Sequence, residues 1–165
     1  MKKLWAPWRI EYILAPKDDT EECIFCTKPA GDADRDNLVL FRGRQAFIIM
    51  NLYPYNNAHL LVVPYAHVNS MSALSRDERY EMMELANASM DILRGKMNAQ
   101  GFNFGANIGA AAGAGIEEHV HLHIVPRWIG DTNFMPVLGH TKVLVQGLQE
   151  TYDALKPLFD QLSIT

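Results

Sequence analysis

Short apolar runs separated by turn residues occupy the chain between residues 37 and 64. The runs at 37–42 and 46–51 flank Gly43 and Arg44, an arrangement typical of a β-hairpin. A third run, at 59–63, follows a proline-containing turn and ends at Pro64. We therefore expect three consecutive strands in this part of the chain.

A longer pattern with helical spacing comes next. Ser75 and Glu78 stand three residues apart, as in a capping box, and predict the start of a helix. Apolar side chains then recur at helical spacing, and the pattern ends before Gly101. We interpret this methionine-rich stripe as core packing without a chemical role. Its members are Tyr80, Met83, Met90, Leu93 and Met97.

The second half of the chain predicts two more strands and a second long helix. Residues 102–108 alternate between apolar and polar or small side chains, a loop of Gly and Ala fills 109–115, and a strand is expected at 119–125. A final helix carries apolar residues up to Leu162. This order predicts an α+β fold, with an antiparallel sheet meander and two main helices. We expect one domain, with an N-terminal arm at 1–22, a core at 23–135 and a C-terminal helix region at 136–165.

Composition and charge narrow the possible partners and the compartment. The 165 residues carry a formal net charge of −4, so no global basic field recruits nucleic acid or a membrane surface. The N-terminal sequence lacks the apolar core of a signal peptide, and no apolar run approaches a membrane span. The two cysteines, Cys23 and Cys26, do not make a disulfide framework, which fits a reducing compartment. We expect a cytoplasmic protein that binds neither nucleic acid nor membranes.

Three histidines alternate with apolar residues near the end of the predicted core. On a strand, His119, His121 and His123 would share one face, with neighbours about 6.6 Å apart. A single zinc ion could not easily collect all three from a straight strand, although two could chelate one metal. Neutral imidazole suits nucleophilic attack at phosphorus, and the backbone N–H groups of the glycine-rich loop could hold an anion. The alternative is a solvated face that is rich in histidine by chance.

The motif His119-Val120-His121-Leu122-His123-Ile124-Val125 resembles the signature of the histidine-triad (HIT) family. The resemblance implies the HIT fold, a nucleotide or dinucleotide substrate, and assembly as a homodimer or higher homo-oligomer. It implies that the middle histidine, His121, is the nucleophile that forms a nucleotidyl-histidine. It assigns supporting roles to His119, His123 and the upstream His59, and a ribose contact to Asn51.

Two further segments, 107–116 and 126–135, resemble a bacterial branch of that family that cleaves diadenosine tetraphosphate with inorganic phosphate. Other branches place Gln or Ser where this chain has Gly115 and Ile116, so the leaving-group contacts must come from backbone amides or elsewhere. Asn107, Gly113 and Gly115 are therefore candidate nucleotide-binding residues. The alternatives are a nucleoside phosphoramidase, a nucleotide-binding module without turnover, and a zinc hydrolase that uses His119 and His121.

The cysteine pair has the spacing of half a zinc site, although inert thiols or a redox motif would also fit. The family resemblance adds His67 and His119 to Cys23 and Cys26 as ligands, and it implies that the zinc is structural.

Three other residues are weaker candidates for the nucleotide site. Phe47 and Ile49 share a strand face that leads toward the predicted ribose contact, so they could form a base pocket, although packing alone would also explain them. Arg127 follows the histidine strand and could contact phosphate or stack on a base.

Overall fold

The computed structural model describes residues 22–131 and 146–164. The predicted N-terminal arm therefore lies almost entirely outside the described residues, as does the segment 132–145. Five strands form one antiparallel sheet in the order β1-β2-β3-β5-β4. The strands are β1 (Val39–Arg42), β2 (Ala46–Met50), β3 (Leu60–Pro64), β4 (Gly101–Gly105) and β5 (Leu122–Arg127). The helices are α1 (Ile24–Thr27), α2 (Asp34–Asn37), α3 (Arg76–Met97) and α4 (Leu148–Phe159).

The sheet confirms the predicted α+β class and adds one feature to the predicted meander. Strands β1 to β3 follow one another as a meander, but β5 inserts between β3 and β4. His123 therefore has Leu61 of β3 on one side and Gly105 of β4 on the other. The histidine-bearing strand is thus an inner strand, flanked on both sides by backbone.

The long helix α3 begins at the predicted capping box but buries a different face from the one expected. Ser75 accepts a hydrogen bond from the Glu78 amide, and the Glu78 side chain accepts one from the Ser75 amide. Tyr80 and Met83 are 61% and 41% exposed, so the predicted stripe is wrong at its N-terminal end. The face that packs on the sheet consists of Met82, Leu85, Ala86, Ser89 and Leu93. The helix has apolar residues on more than one face. Such a pattern predicts a helix but does not show which face packs against the sheet.

Helix α4 closes the other part of the core against the edge of the sheet. Tyr152, Leu155 and Phe159 are buried, and the Tyr152 hydroxyl donates to the carbonyl of Val39 at 3.1 Å. This bond ties α4 to the first strand. Within the described residues, no helix is long and apolar enough to cross a bilayer.

The predicted histidine strand is shorter than expected at its start. Regular pairing begins at Leu122, and the Val120 amide donates instead to the carbonyl of Val68, at 2.7 Å, in the loop after β3. His119 and His121 consequently precede the strand. Because the backbone leaves the sheet here, the imidazoles of His119 and His121 are not held to the regular alternation of a strand.

Candidate active site and metal group

A cavity of about 330 Å³ opens beside the histidines. Its apolar part comes from α1, from β2 and β3, and from the segment after β2. Its polar part comes from Asn51, from the small-residue loop and from two of the three histidines. The described residues that line it are Ile24, Phe25, Lys28, Ile49, Met50, Asn51, Leu52, Tyr53, Pro54, Tyr55, Leu61, Asn107, Gly113, Gly115, Ile116, His121 and His123.

His121 is fixed in one tautomer by its own backbone. Its Nδ1 lies 2.8 Å from the carbonyl oxygen of His119, and a carbonyl only accepts, so Nδ1 carries the hydrogen. Burial lowers the pKa of His121, which favours the neutral ring. In a neutral imidazole with a protonated Nδ1, the lone pair is on Nε2. His121 therefore lines the cavity with an Nε2 lone pair that is available for hydrogen bonding or nucleophilic attack.

His123 belongs to a chain of hydrogen bonds that starts at the backbone. The amide of Tyr55 donates to Nδ1 of His59 at 3.0 Å, so Nε2 of the neutral His59 ring carries the hydrogen. That Nε2 lies 3.0 Å from Nδ1 of His123 and donates to it. The Nε2 of a neutral His123 is then a donor. His59 is 1% exposed and does not line the cavity itself, but it contacts His123, Asn51 and Tyr55, which do.

Asn51 lies where β2 ends and lines the same cavity. Its side-chain oxygen accepts from the Tyr53 amide at 2.9 Å, and its amide nitrogen lies 3.3 Å from Nδ1 of His59. These contacts hold the turn after β2 in place. Asn51 thus connects the predicted ribose contact to the hydrogen bonds that orient His123.

The small-residue loop beside the histidines contains two backbone positions that favour glycine. Gly109 and Gly113 both have φ of +79°, in the left-handed region that favours glycine. Gly113 and Gly115, which the sequence suggests as nucleotide-binding residues, line the cavity. Asn107 also lines it and donates through its side-chain amide to the Tyr55 hydroxyl at 3.3 Å.

Two of the sequence candidates lie elsewhere. Phe47 is completely buried and stacks on Tyr65 with 5.4 Å between ring centroids, so the structure places it in the core rather than in the cavity wall. The guanidinium of Arg127 binds both carboxylate oxygens of Asp131, at 2.7 and 2.8 Å, and contacts Asn103 at 2.8 Å. Arg127 is thus engaged in holding the turn after β5, away from the cavity.

Sequence reasoning also missed several residues of the cavity wall. Ile24, Phe25 and Lys28 come from the cysteine segment, and the Phe25 ring lies 4.9 Å from that of His121. Tyr55 stacks on His123 with 5.6 Å between centroids. The sequence contains one signal for the first group. Ile24 and Lys28 are four residues apart beside the predicted metal site, which is the spacing of two residues on one face of a helix.

The four predicted metal ligands come together in space. One ligand atom from each of Cys23, Cys26, His67 and His119 lies within 4.8 Å of all the others. The Sγ of Cys23 lies 3.4 Å from Nδ1 of His119, and the Sγ of Cys26 lies 3.3 Å from Nδ1 of His67. Sulfur and nitrogen ligands of a tetrahedral zinc lie about 3.5 Å apart. The geometry therefore fits a zinc ion with four protein ligands.

The orientation of His119 supports the same conclusion. Its Nε2 lies 2.8 Å from the carbonyl oxygen of Pro64 and donates to it, so Nδ1 of the neutral ring is unprotonated and faces the two sulfurs. His121 is not part of the group. The geometry therefore argues against a zinc hydrolase that uses His119 and His121 as ligands, since His119 instead completes a four-residue group with Cys23, Cys26 and His67.

The fold and site define a class of protein in which histidines at the start of an inner strand face a nucleotide-sized cavity. The chain matches the HIT domain family over residues 33–128. It is 37% identical over 157 residues to the AP-4-A phosphorylase of Mycobacterium tuberculosis, covering 92% of this chain and 80% of that protein. The chain belongs to the HIT domain family.

More distant relatives share part of the chain or the fold. A bis(5'-adenosyl)-triphosphatase of Dictyostelium discoideum is 30% identical over 93 residues, which cover 56% of this chain and 62% of that protein. A zinc-bound histidine triad family protein from Mycobacterium smegmatis superposes with a TM-score of 0.68 at 24% identity, covering 85% of this chain and 94% of that one. The similarity to the Mycobacterium smegmatis protein, at 24% identity, shows the fold alone.

Proposed function

We propose that this protein is an enzyme that cleaves dinucleoside polyphosphates at the α-phosphorus, through a nucleotidyl intermediate on His121. The observation that carries the proposal is the hydrogen bond from Nδ1 of His121 to the carbonyl of His119, since it leaves the Nε2 lone pair available at the cavity. The relatives named as AP-4-A phosphorylase and bis(5'-adenosyl)-triphosphatase support a dinucleoside polyphosphate as the substrate.

In the first step, the lone pair on Nε2 of His121 attacks the α-phosphorus. A P–N bond forms, the P–O bond to the bridging oxygen breaks, and the leaving polyphosphate takes the electron pair. With diadenosine tetraphosphate the leaving group is ATP, and AMP stays on the ring. The proton on Nδ1 remains hydrogen-bonded to the His119 carbonyl, which stabilises the positive charge that the ring acquires.

Charge on the phosphoryl oxygens is held by neutral donors. The backbone amides near Gly113 and Gly115 and the Nε2 hydrogen of His123 are the proposed donors, because they belong to the cavity wall. The hydrogen bond from His59 keeps His123 in the tautomer that donates there.

In the second step, inorganic phosphate attacks the nucleotidyl-histidine. A new P–O bond forms, the P–N bond breaks, and the neutral His121 ring is restored while ADP leaves. Water in place of phosphate would give AMP. The identity of the mycobacterial relative as a phosphorylase favours phosphate.

We also propose that Cys23, Cys26, His67 and His119 hold a structural zinc ion. When bound, zinc supplies a fixed cross-link between the cysteine segment, the loop after β3 and the histidine segment. No step of the reaction passes through it.

The test is a rapid quench without acid, using diadenosine tetraphosphate labelled at the α-phosphates, followed by peptide mapping. We expect label on His121, with ADP and ATP as products when phosphate is present. A matched control is His121→Gly with free imidazole added, which should restore turnover without labelling the chain. Binding of nucleotide with no label and no product would indicate a binding module. Faster cleavage of a nucleoside phosphoramidate than of any dinucleotide would indicate a phosphoramidase.

A further inference from the structure

We propose that Lys28 is a specificity-determining residue that contacts the base of the bound nucleotide and favours guanine over adenine. This inference rests on the proposed function, since it takes the α-phosphate to lie at His121. Lys28 was not a candidate in the sequence, and it enters the site because it follows the metal-binding cysteines.

Lys28 supplies the only cation among the described residues that line the cavity, and no carboxylate lines the described wall. Its amide donates to the carbonyl of Ile24, so the two side chains lie on the same side of α1. No described residue forms an ion pair with its ammonium group. Lys28 is half-buried, so its side chain is partly removed from water. A partly desolvated donor gains from an acceptor that a ligand brings.

Backbone hydrogen bonds place Lys28 on the side of the cavity that is nearer to β1. The carbonyl of Lys28 accepts from the side chain of Asn37, the last residue of α2 and two residues before β1, at 3.3 Å. The carbonyl of the next residue, Pro29, accepts from Arg42 at the other end of β1. Strand β1 is three strands away from β5, which corresponds to about 14 Å. The segment 23–30 therefore runs from the histidines, where Phe25 packs against His121, toward β1, and Lys28 lies in the part beside β1.

The base of a bound nucleotide extends toward that same end. His123, Leu61 and Ile49 are cross-strand partners, so they form a row across β5, β3 and β2 and share one face of the sheet. With the phosphate at the histidines and the ribose at Asn51 after β2, the base covers Leu61 and Ile49. Lys28 then meets the base, and phosphate oxygens remain at the histidine end.

The chemistry of an ammonium group gives the direction of the preference. Lysine has three donors and no acceptor. Guanine presents two adjacent acceptors, O6 and N7, whereas adenine replaces O6 with an amino donor. A donor-only group that faces this edge gains two acceptors from guanine and meets a like donor on adenine. Lys28 should therefore shift the selectivity of an otherwise apolar wall toward guanine.

The test compares Lys28→Met with the wild type, because methionine keeps the apolar stem and removes the donors. The matched control is Arg44→Met, which removes a cation from an exposed turn that does not line this cavity. We would measure kcat/KM for diguanosine and diadenosine tetraphosphate, and Kd for GMP, GTP, AMP and ATP by calorimetry. We expect Lys28→Met to lower the guanine-to-adenine ratio by about five- to tenfold, equally for mono- and triphosphates. Arg44→Met should leave the ratio unchanged, and Lys28→Arg should keep its direction.

Three outcomes would overturn the inference. A loss that grows from GMP to GTP would assign Lys28 to the phosphates instead of the base. An unchanged ratio in an enzyme that still labels His121 would refute base selection by Lys28 and leave the proposed function intact. A wild-type protein that binds none of the four mononucleotides would refute both. Conversely, a Lys28-dependent ratio in Kd without any label on His121 would support the inference and refute the covalent mechanism.

Discussion

The first and last histidines of the triad are the same residue type in two different chemical surroundings. His119 is 0% exposed and His123 is 9% exposed, and each ring nitrogen Nδ1 faces a fixed partner. For His119 the partners are cysteine sulfurs, with a backbone carbonyl on Nε2, so the ring presents a lone pair to a metal. For His123 the partner is the donor His59, so the ring presents a hydrogen to the cavity. The neighbours, rather than the motif, decide which role each ring has.

His121 lies between these two regions and depends on the first. Its tautomer is set by the carbonyl of His119, whose ring belongs to the metal group. Phe25, between the two cysteines in sequence, packs against the rings of both His119 and His121, with centroids 5.5 and 4.9 Å away. The metal group and His121 therefore share a single short piece of backbone, and the comparison can be tested by disturbing one end at a time.

The largest expected effect comes from removing the nucleophile itself. His121→Ala should lower kcat by about 10⁶-fold, because covalent catalysis fails without the attacking nitrogen. The melting temperature should change little, since the ring faces the cavity, and nucleotide should still bind. Single-turnover kinetics with labelled substrate measure the loss. Turnover near the wild-type rate would contradict the proposed mechanism.

At the metal end of the triad, loss of a ligand should lower the stability of the protein more than it lowers the rate of the reaction. Cys23→Ser removes one of four ligands, so zinc content should fall and the melting temperature should drop by on the order of 10 °C. Elemental analysis and thermal melts measure both, with Thr27→Ala, at the end of the helix that Cys23 precedes, as the control. Some turnover should remain, because no step uses the metal. Carefully purified wild-type protein without bound metal would refute the structural zinc.

At the His123 end of the triad, loss of the hydrogen bond from His59 should lower the reaction rate, and a substitute hydrogen-bond donor should restore it. His59→Leu removes the hydrogen bond to His123, so kcat should fall by on the order of 10²-fold with little change in KM. His59→Gln can still donate to Nδ1 of His123 and should recover much of that loss. Equal loss in both variants, in proportion to their melting temperatures, would mean that His59 only fills the core.

A smaller effect is expected at Asn51, between the ribose and His59. Asn51→Ala should raise the Kd for nucleotide by about fivefold, since a ribose contact of this kind contributes about 1 kcal/mol in both the ground and transition states. The rate of the chemical step should fall less than affinity does. A large fall in single-turnover rate with unchanged affinity would instead place Asn51 with His59 in orienting His123.

The parts of the structure that the sequence predicted rest on local signals. The hairpin around Gly43, the Ser75 capping box and the histidine motif each depend on residues a few positions apart, and each is present. The ligand set was predicted through family resemblance, because nothing in the spacing of Cys26 and His67 shows that they meet.

The parts that it did not predict depend on long-range packing. Contact with the sheet decides which face of α3 is buried, so Tyr80 and Met83, which the sequence pattern places in the core, are exposed. The start of β5 is set by the bond of Val120 to Val68, a contact between distant segments. Lys28 joins the cavity because Asn37 of α2 and Arg42 of β1 hold the backbone that follows the cysteines. Periodicity within one element carries no information about such contacts.

The smallest effect is expected at a site that belongs to neither end of the triad. Ser75 caps α3 by accepting from the Glu78 amide at 3.2 Å, and neither residue lines the cavity or joins the metal group. Ser75→Ala should lower the free energy of unfolding by about 1 kcal/mol, which is the usual value for losing such a cap. Zinc content, kcat and KM should stay at wild-type values, because α3 reaches the histidines only through the core. Chemical denaturation and steady-state kinetics measure the two quantities. If Ser75→Ala also reduced zinc content or kcat, a general loss of stability would be enough to disturb both ends of the triad, and the effects of Cys23→Ser and His59→Leu would no longer distinguish two separate surroundings.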